Sequence, residues 1–427
     1  MDISVRSRTQ KIDEPQVRFG LWLWRKFYSW AYMPYLWLIC APIAMLQVLY
    51  ARRMVSPQEN GSSQLDAGAN LSHVLLILLD HIGDTAVALP LLLGLRRDFP
   101  AAQFTIVTHS GLAELFADWE NCDILIADHD DGKWHRWFSL PRQRWLFARR
   151  HFHGRHFDVC IIPRQDVDFQ CALLLGYFSG APHRISFSET ATGLKRWHNK
   201  HYDRLLTCAL SGAMGAEAHQ LLRIRAQLPA GSLGPPLPRL RFLDSAWVQS
   251  RLSPELRWVA VCPSEGSSPL KQWGLLQRWL DVSRALTQQG FGIVLVGGKQ
   301  DQPLARAIAR GLNQACVDVT GQTNLSQLGA LLQACALFLG NDCGPLHLAS
   351  AINVPSVAVL GSTCSHRYGV WSDRGTTLKQ ELACSPCVDH RRDRCVRCIY
   401  SHPKCLSDIS VSSVVEAALR LLATRPA

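Results

Sequence analysis

The chain has 427 residues, 45 Lys plus Arg against 34 Asp plus Glu, a formal charge of +11, and 48% hydrophobic content. This composition excludes intrinsic disorder, collagen-like repeats and small disulfide scaffolds, and the length allows two or three units that each bury a core. The excess charge fits an anionic partner, whether nucleic acid, anionic lipid or a phosphorylated substrate.

The first element in chain order is an uncharged stretch of 25 residues from Phe27 to Ala51, flanked by Arg25 and Lys26 and by Arg52 and Arg53. As a helix it is long enough to cross a hydrocarbon core of about 30 Å. It is too long and too rich in Trp and Tyr for a signal peptide, and no small-residue cleavage site follows. We expect it to associate with a membrane, either spanning it or, broken at Pro34 and Pro42, as a hairpin with both ends in the cytoplasm. A buried core helix is the plainer alternative. With the polar linker 54–70, residues 1–70 form a membrane-associating unit.

Short apolar runs then alternate with amphipathic stretches: 73–79, 104–108, 123–127 and 158–163, and, after a Pro/Gly-rich junction at 229–238, 258–263, 292–298, 316–321, 337–342 and 356–361. Runs of this length and β-branched content predict buried parallel strands with helical crossovers. The expected fold is therefore α/β, with two Rossmann-like, doubly wound domains facing a cleft, over 71–235 and 236–427. No G-x-G-x-x-G follows any strand, which argues against a dinucleotide oxidoreductase.

Ligands of open α/β sheets sit beyond the carboxyl ends of strands. After the first strand, LLDHIGDTAVALP places Gly83 in a predicted tight turn and Asp84 at a helix start, as either a cap or a general base. In the second array, SEGSSPLKQW offers Ser267, Ser268 and Lys271 to a diphosphate, with an ordinary surface loop as the alternative. NDCGPLHLASA gathers Asp342, Cys343, Gly344 and His347 at another helix start, a ready anion site.

These residues resemble glycosyltransferase family 9, the bacterial heptosyltransferases of lipopolysaccharide core assembly. LLDHIGDTAVALPLLLGLRRDFPAAQFTIVT is similar to the family's opening strand, Gly-Asp turn and helix. FLGNDCGPLHLASAINVPSVAVLGST is similar to its donor-site strand and Asp-x-Gly-x-x-His helix. CSPC with the later KCLSDISVSSVVEA looks like its C-terminal segment. The resemblance covers roughly residues 73 to 425 and implies a GT-B fold, with the acceptor on the N-terminal domain and the nucleotide sugar on the C-terminal one. It implies inverting transfer of heptose from an ADP-activated donor to a lipid-linked glycan, with no cofactor required for catalysis. Asp84 matches the catalytic aspartate, Lys271 the phosphate-contacting lysine, and Asp342, Gly344 and His347 the donor cluster. Cys343 departs from the usual Thr or Ser, and STCSH after Gly361 departs from Pro-Thr-Asp. Another nucleotide sugar, a protein acceptor, or a non-catalytic nucleotide- or glycan-binding protein are the alternative readings.

Residues 132–157 carry seven Lys or Arg and no acid. Arg142, Arg144, Arg149 and Arg150 are expected to meet anionic headgroups or a phosphorylated glycolipid, with a solvated face as the alternative. No fold motif supports a nucleic-acid partner. Of 15 Cys, ten are scattered singly from Cys40 to Cys364, the pattern of a reducing compartment. The expected location is the cytoplasmic face of a bacterial inner membrane. Cys384, Cys387, Cys395, Cys398 and Cys405 fall in two C-x2-C pairs plus one, a spacing that suits a structural zinc or iron, with disulfides as the rival.

Overall fold

The computed structural model describes residues 41–54, 71–128, 136–212, 244–263, 269–312, 316–389 and 398–423 apart from 275 and 401, with isolated positions between. The junction at 229–238 lies outside the described residues, as does nearly all of 27–40.

Two six-stranded parallel sheets carry the chain. The first runs β3-β2-β1-β4-β5-β6, with β1 His73–Leu78, β2 Gln103–Thr108, β3 Cys122–Ile126, β4 Val159–Ile162, β5 His183–Phe187 and β6 Cys208–Leu210. The second runs β12-β11-β10-β7-β8-β9, with β7 Arg257–Cys262, β8 Phe291–Leu295, β9 Cys316–Asp318, β10 Leu337–Asn341, β11 Ser356–Val359 and β12 Gly375–Leu378. Each sheet repeats one pattern: its first strand lies at the centre, two strands follow on one side, and the chain crosses back to add three on the other. This is the two-domain doubly wound architecture that the alternating apolar runs predicted. Beta-branched and Leu side chains fill the central strands, where Val74, Leu75, Val259 and Val261 are fully buried, so both faces need helical cover.

The reversal of strand order opens a crevice between β1 and β4 in one sheet and between β7 and β10 in the other, the place where such sheets take ligands. The helices used below are α1 Ala41–Met54, α2 Ile82–Asp98, α3 Arg136–His151, α4 Ala172–Phe178, α5 Leu276–Gln288, α6 Gln302–Leu312, α7 Leu325–Ala334, α8 Gly344–Ala351 and α9 Val411–Ala423. A single apolar cluster joins the halves, running from Leu76 and Leu89 through Leu346 and Ala349 to Phe338.

No helix among the described residues is long and apolar enough to cross a membrane. The part of the Phe27–Ala51 stretch that is described forms α1, which packs beside α3 and α4. Pro42 does not break it, because it occupies the first turn, where its missing N–H has no helical partner to lose.

Candidate active site

Strand β1 ends at Leu78, and Asp80 to Asp84 carry the chain into α2. Asp84 is third in that helix, and the residue at its cap is His81, whose side chain makes no capping bond. The capping alternative for Asp84 is therefore not realised. Its Oδ1 accepts from Arg164 Nη1 at 3.2 Å, and the same nitrogen lies 3.1 Å from Asp80 Oδ1. Arg164 follows β4, the strand beside β1, and its Nε donates to Val167 O at 3.0 Å. Behind it, fully buried Lys195 donates through Nζ to the carbonyls of Arg164 and Phe187, both at 2.8 Å. Burial pushes the Lys195 ammonium down to about 8, in spite of the nearby Asp168.

Across the cleft, Lys271 Nζ lies 2.9 Å from Asp342 Oδ2, and His347 Nε2 lies 3.4 Å from Asp342 Oδ1. Burial opposes a charged Asp342, but the Lys271 ammonium and the hydrogen bond from His347 outweigh it and hold the carboxyl well below the usual range. Asn341 Oδ1 accepts from Trp273 N at 3.3 Å and Trp273 Nε1 donates to Ile409 O at 3.0 Å, which fixes the turn carrying Lys271. Pro345 pre-sets the first turn of α8 behind Gly344. Ser267 and Ser268 lie outside the described residues.

The two clusters meet through glycine. A Cβ on Gly344 would come within 2.6 Å of Ile82 Cγ2, and one on Gly83 within 3.2 Å of His347 Cδ2. Gly83 thus fits the close approach of α8, where a Cβ would crowd the His347 ring, and its backbone lies outside the left-handed region that its place in a tight turn suggested. Asp84 follows Gly83 directly, one residue from this contact, with its carboxylate turned to Arg164 of its own sheet.

Several expected residues sit elsewhere. Cys343 is buried with its thiol hydrogen-bonded to that of Cys262, a contact that together with burial raises it well above the usual thiol value. Its side chain belongs to the core, so only its backbone borders the cluster. Arg144, expected on a membrane or acceptor face, is 3% exposed and donates to Gln170 O at 2.9 Å and Ala127 O at 3.1 Å. It ties α3 to the loops beside it, whereas Arg142, Arg149 and Arg150 are exposed. Burial, reinforced by the Cys384 and Cys398 thiols, pushes Cys405 up to about 11. Cys395 lies outside the described residues, and among the described residues no three His, Cys, Asp or Glu are arranged to hold a metal ion.

Sequence reasoning passed over Arg164, Asp80 and Lys195. The available signal was the charged run R-Q-D directly after the apolar strand 158–163, at the carboxyl end of a strand neighbouring the first.

Residues 243–395 match the family model of glycosyltransferase family 9 (heptosyltransferase). The chain is 29% identical over 135 residues to lipooligosaccharide heptosyltransferase 2 of Haemophilus influenzae, 31% of this chain and 39% of that protein. It is 33% identical over 117 residues to lipopolysaccharide heptosyltransferase 2 of Escherichia coli, 26% and 33%. Both matches span less than half of the relative's length. Lipopolysaccharide heptosyltransferase 1 of Pseudomonas aeruginosa aligns more widely, 23% identical over 321 residues, 74% of this chain and 86% of that one. The fold is that of the E. coli ADP-heptose lps heptosyltransferase II (TM-score 0.63, 19% identity, 82% of this chain and 98% of that chain). It is also that of a family 9 glycosyltransferase from Veillonella parvula (TM-score 0.66, 20% identity, 84% and 99%).

Proposed function

We propose that this chain, which carries the glycosyltransferase family 9 pattern in residues 243–395, transfers heptose from an ADP-activated donor to a lipid-linked glycan of the lipopolysaccharide core type, with inversion, at the cytoplasmic face of the inner membrane. The observation that carries the reading is the approach of Gly83, the residue before Asp84, to His347 and Gly344, which brings the helix that carries Asp84 against the helix that carries His347 of the Lys271–Asp342–His347 cluster. The heptosyltransferase relatives support the sugar and the acceptor class.

In this reading Asp84 takes the proton of the acceptor hydroxyl as its oxygen attacks the anomeric carbon from the face opposite the departing diphosphate. Lys271 and the first turn of α8 stabilise the charge that grows on the leaving group. Asp342 aims Lys271 through their 2.9 Å ion pair, and these steps use the chain's own groups. The test is transfer from ADP-heptose to a lipid-linked core acceptor by the wild type and Asp84→Asn. The variant should lose roughly 10²- to 10⁴-fold in turnover while binding ADP as before. Equal turnover would remove Asp84 as the base, and wild-type binding of ADP without any transfer would favour a binding protein.

Another nucleotide sugar is the second reading, favoured by Cys343, whose thiol turns to Cys262 and offers no hydroxyl to the donor. Thermal shift with a panel of nucleotide sugars separates the two. A structural zinc or iron at the C-terminal cysteines also stays a proposal, resting on the spacing of the two C-x2-C pairs in the sequence. Stoichiometric metal in protein purified without added metal would keep it, and metal-free protein would remove it.

A further inference from the structure

Helix α1 turns its smaller side chains inward. Ala41, Ala44, Gln47, Val48 and Ala51 are buried at spacings that share one helical face, while Met45, Leu46 and Leu49 point outward at 45%, 59% and 47% exposure. A helix that served only to cover a protein core would carry the larger apolar groups on the inner side. The outward stripe ends in exposed Arg52 and Arg53. Helix α3, packed beside it, exposes Arg142, Leu146, Arg149 and Arg150 along one face. The result is an apolar ridge rimmed by five arginines, complementary in charge and polarity to the headgroup layer of an anionic bilayer.

The inner face of the same helix reaches a cavity at the start of α2. Gln47 Oε1 accepts from the Tyr202 hydroxyl at 2.5 Å. Gln47 also lines a cavity of about 300 Å³ together with His81, Phe169, Gln170, His198 and Asn199. Amide and imidazole groups around one aromatic ring suit a sugar unit. The cavity reaches His81, which holds the cap position of α2 three residues before the proposed base Asp84.

We infer that α1 lies in the surface of an anionic membrane through Met45, Leu46 and Leu49, and that its opposite face, through Gln47, walls the cavity that receives the acceptor sugar. A lipid-linked sugar then enters along the bilayer surface. The second half rests on the lipid-linked acceptor proposed above, whereas the seat on lipid does not.

The experiment is flotation of the full chain with vesicles of phosphatidylglycerol and phosphatidylcholine in equal parts, and with phosphatidylcholine alone, without donor or acceptor. The wild type should float with the anionic vesicles. Leu46→Glu with Leu49→Glu should lower the bound fraction about tenfold or more at an unchanged melting temperature, because both side chains are already exposed. The proposal is overturned if the wild type does not float, or if the double variant floats equally. It is equally overturned if the double variant turns a dimer into a monomer with flotation unchanged, since a second copy then covers the ridge. Gln47→Ala should raise KM for a lipid-linked acceptor severalfold and leave that of the donor alone, and an unchanged acceptor KM would overturn the cavity half. Flotation without any transfer would count against the proposed reaction and leave the lipid seat standing.

Discussion

Arg164 joins Asp80 and Asp84 through one nitrogen, at 3.1 and 3.2 Å. Two carboxylates at the end of β1 thus share a cation delivered by the neighbouring strand, and the bond from Arg164 Nε to Val167 O keeps that cation in plane. Arg164→Lys keeps the charge but not the fork. Turnover should fall about tenfold in Arg164→Lys and a further tenfold or more in Arg164→Ala, with the donor KM unchanged, because Arg164 positions Asp84 and lies across the cleft from the Lys271 cluster. Steady-state kinetics with both substrates varied is the measurement, and a change confined to the donor KM would contradict the assignment.

Asp342→Asn leaves the largely buried Lys271 without its counter-charge. We expect a loss of about 3 kcal/mol in urea unfolding at neutral pH. Because the folded carboxyl is held below the usual value of 3.8, its contribution is fully present above that pH and is lost as pH falls through the lower folded value. The stability gap between wild type and variant should therefore be constant from neutrality down to about pH 4 and narrow below it.

Gly344→Ala should drive α8 from α2, since its Cβ would stand 2.6 Å from Ile82 Cγ2, a branched methyl with little freedom to swing away. A cost of about 1 to 3 kcal/mol and a marked fall in turnover are expected. Adding Ile82→Ala should recover most of the stability, and failure of that rescue would place the strain elsewhere.

The arginines of α3 should divide sharply. Arg149→Glu with Arg150→Glu should weaken flotation with anionic vesicles and leave stability within about 0.5 kcal/mol. Arg144→Ala should cost about 1 to 3 kcal/mol by stripping the buried Ala127 carbonyl and the half-buried Gln170 carbonyl of a donor. Its vesicle binding should match that of the wild type at temperatures where it is folded.

The long buried strands were legible because a run such as VLLIL between turn residues has few other destinations. Strands β5, β6 and β12 were not. HRISF and GTTL carry charged or small residues, CAL is three residues long, and β6 and β12 are edge strands that earn their place by pairing and not by hydrophobicity. In the site, Asp84, Lys271, Asp342 and His347 could be read from local motifs because each lies in the loop or first helical turn that follows a strand. Arg164 sits 80 residues beyond Asp84, and only the adjacency of β4 to β1 brings the two together. The burial of Arg144 had a similar origin. Within a basic run nothing local marks Arg144 as an arginine that turns inward to bond the Gln170 and Ala127 carbonyls.

The apolar cluster that joins the two sheets has a consequence for how the molecule comes apart. Leu89 and Leu346 belong to one continuous interior, and neither half can melt without exposing part of the other's hydrocarbon surface to water. Calorimetry should therefore show a single cooperative endotherm, and a ligand held by only one half should raise the melting temperature of both.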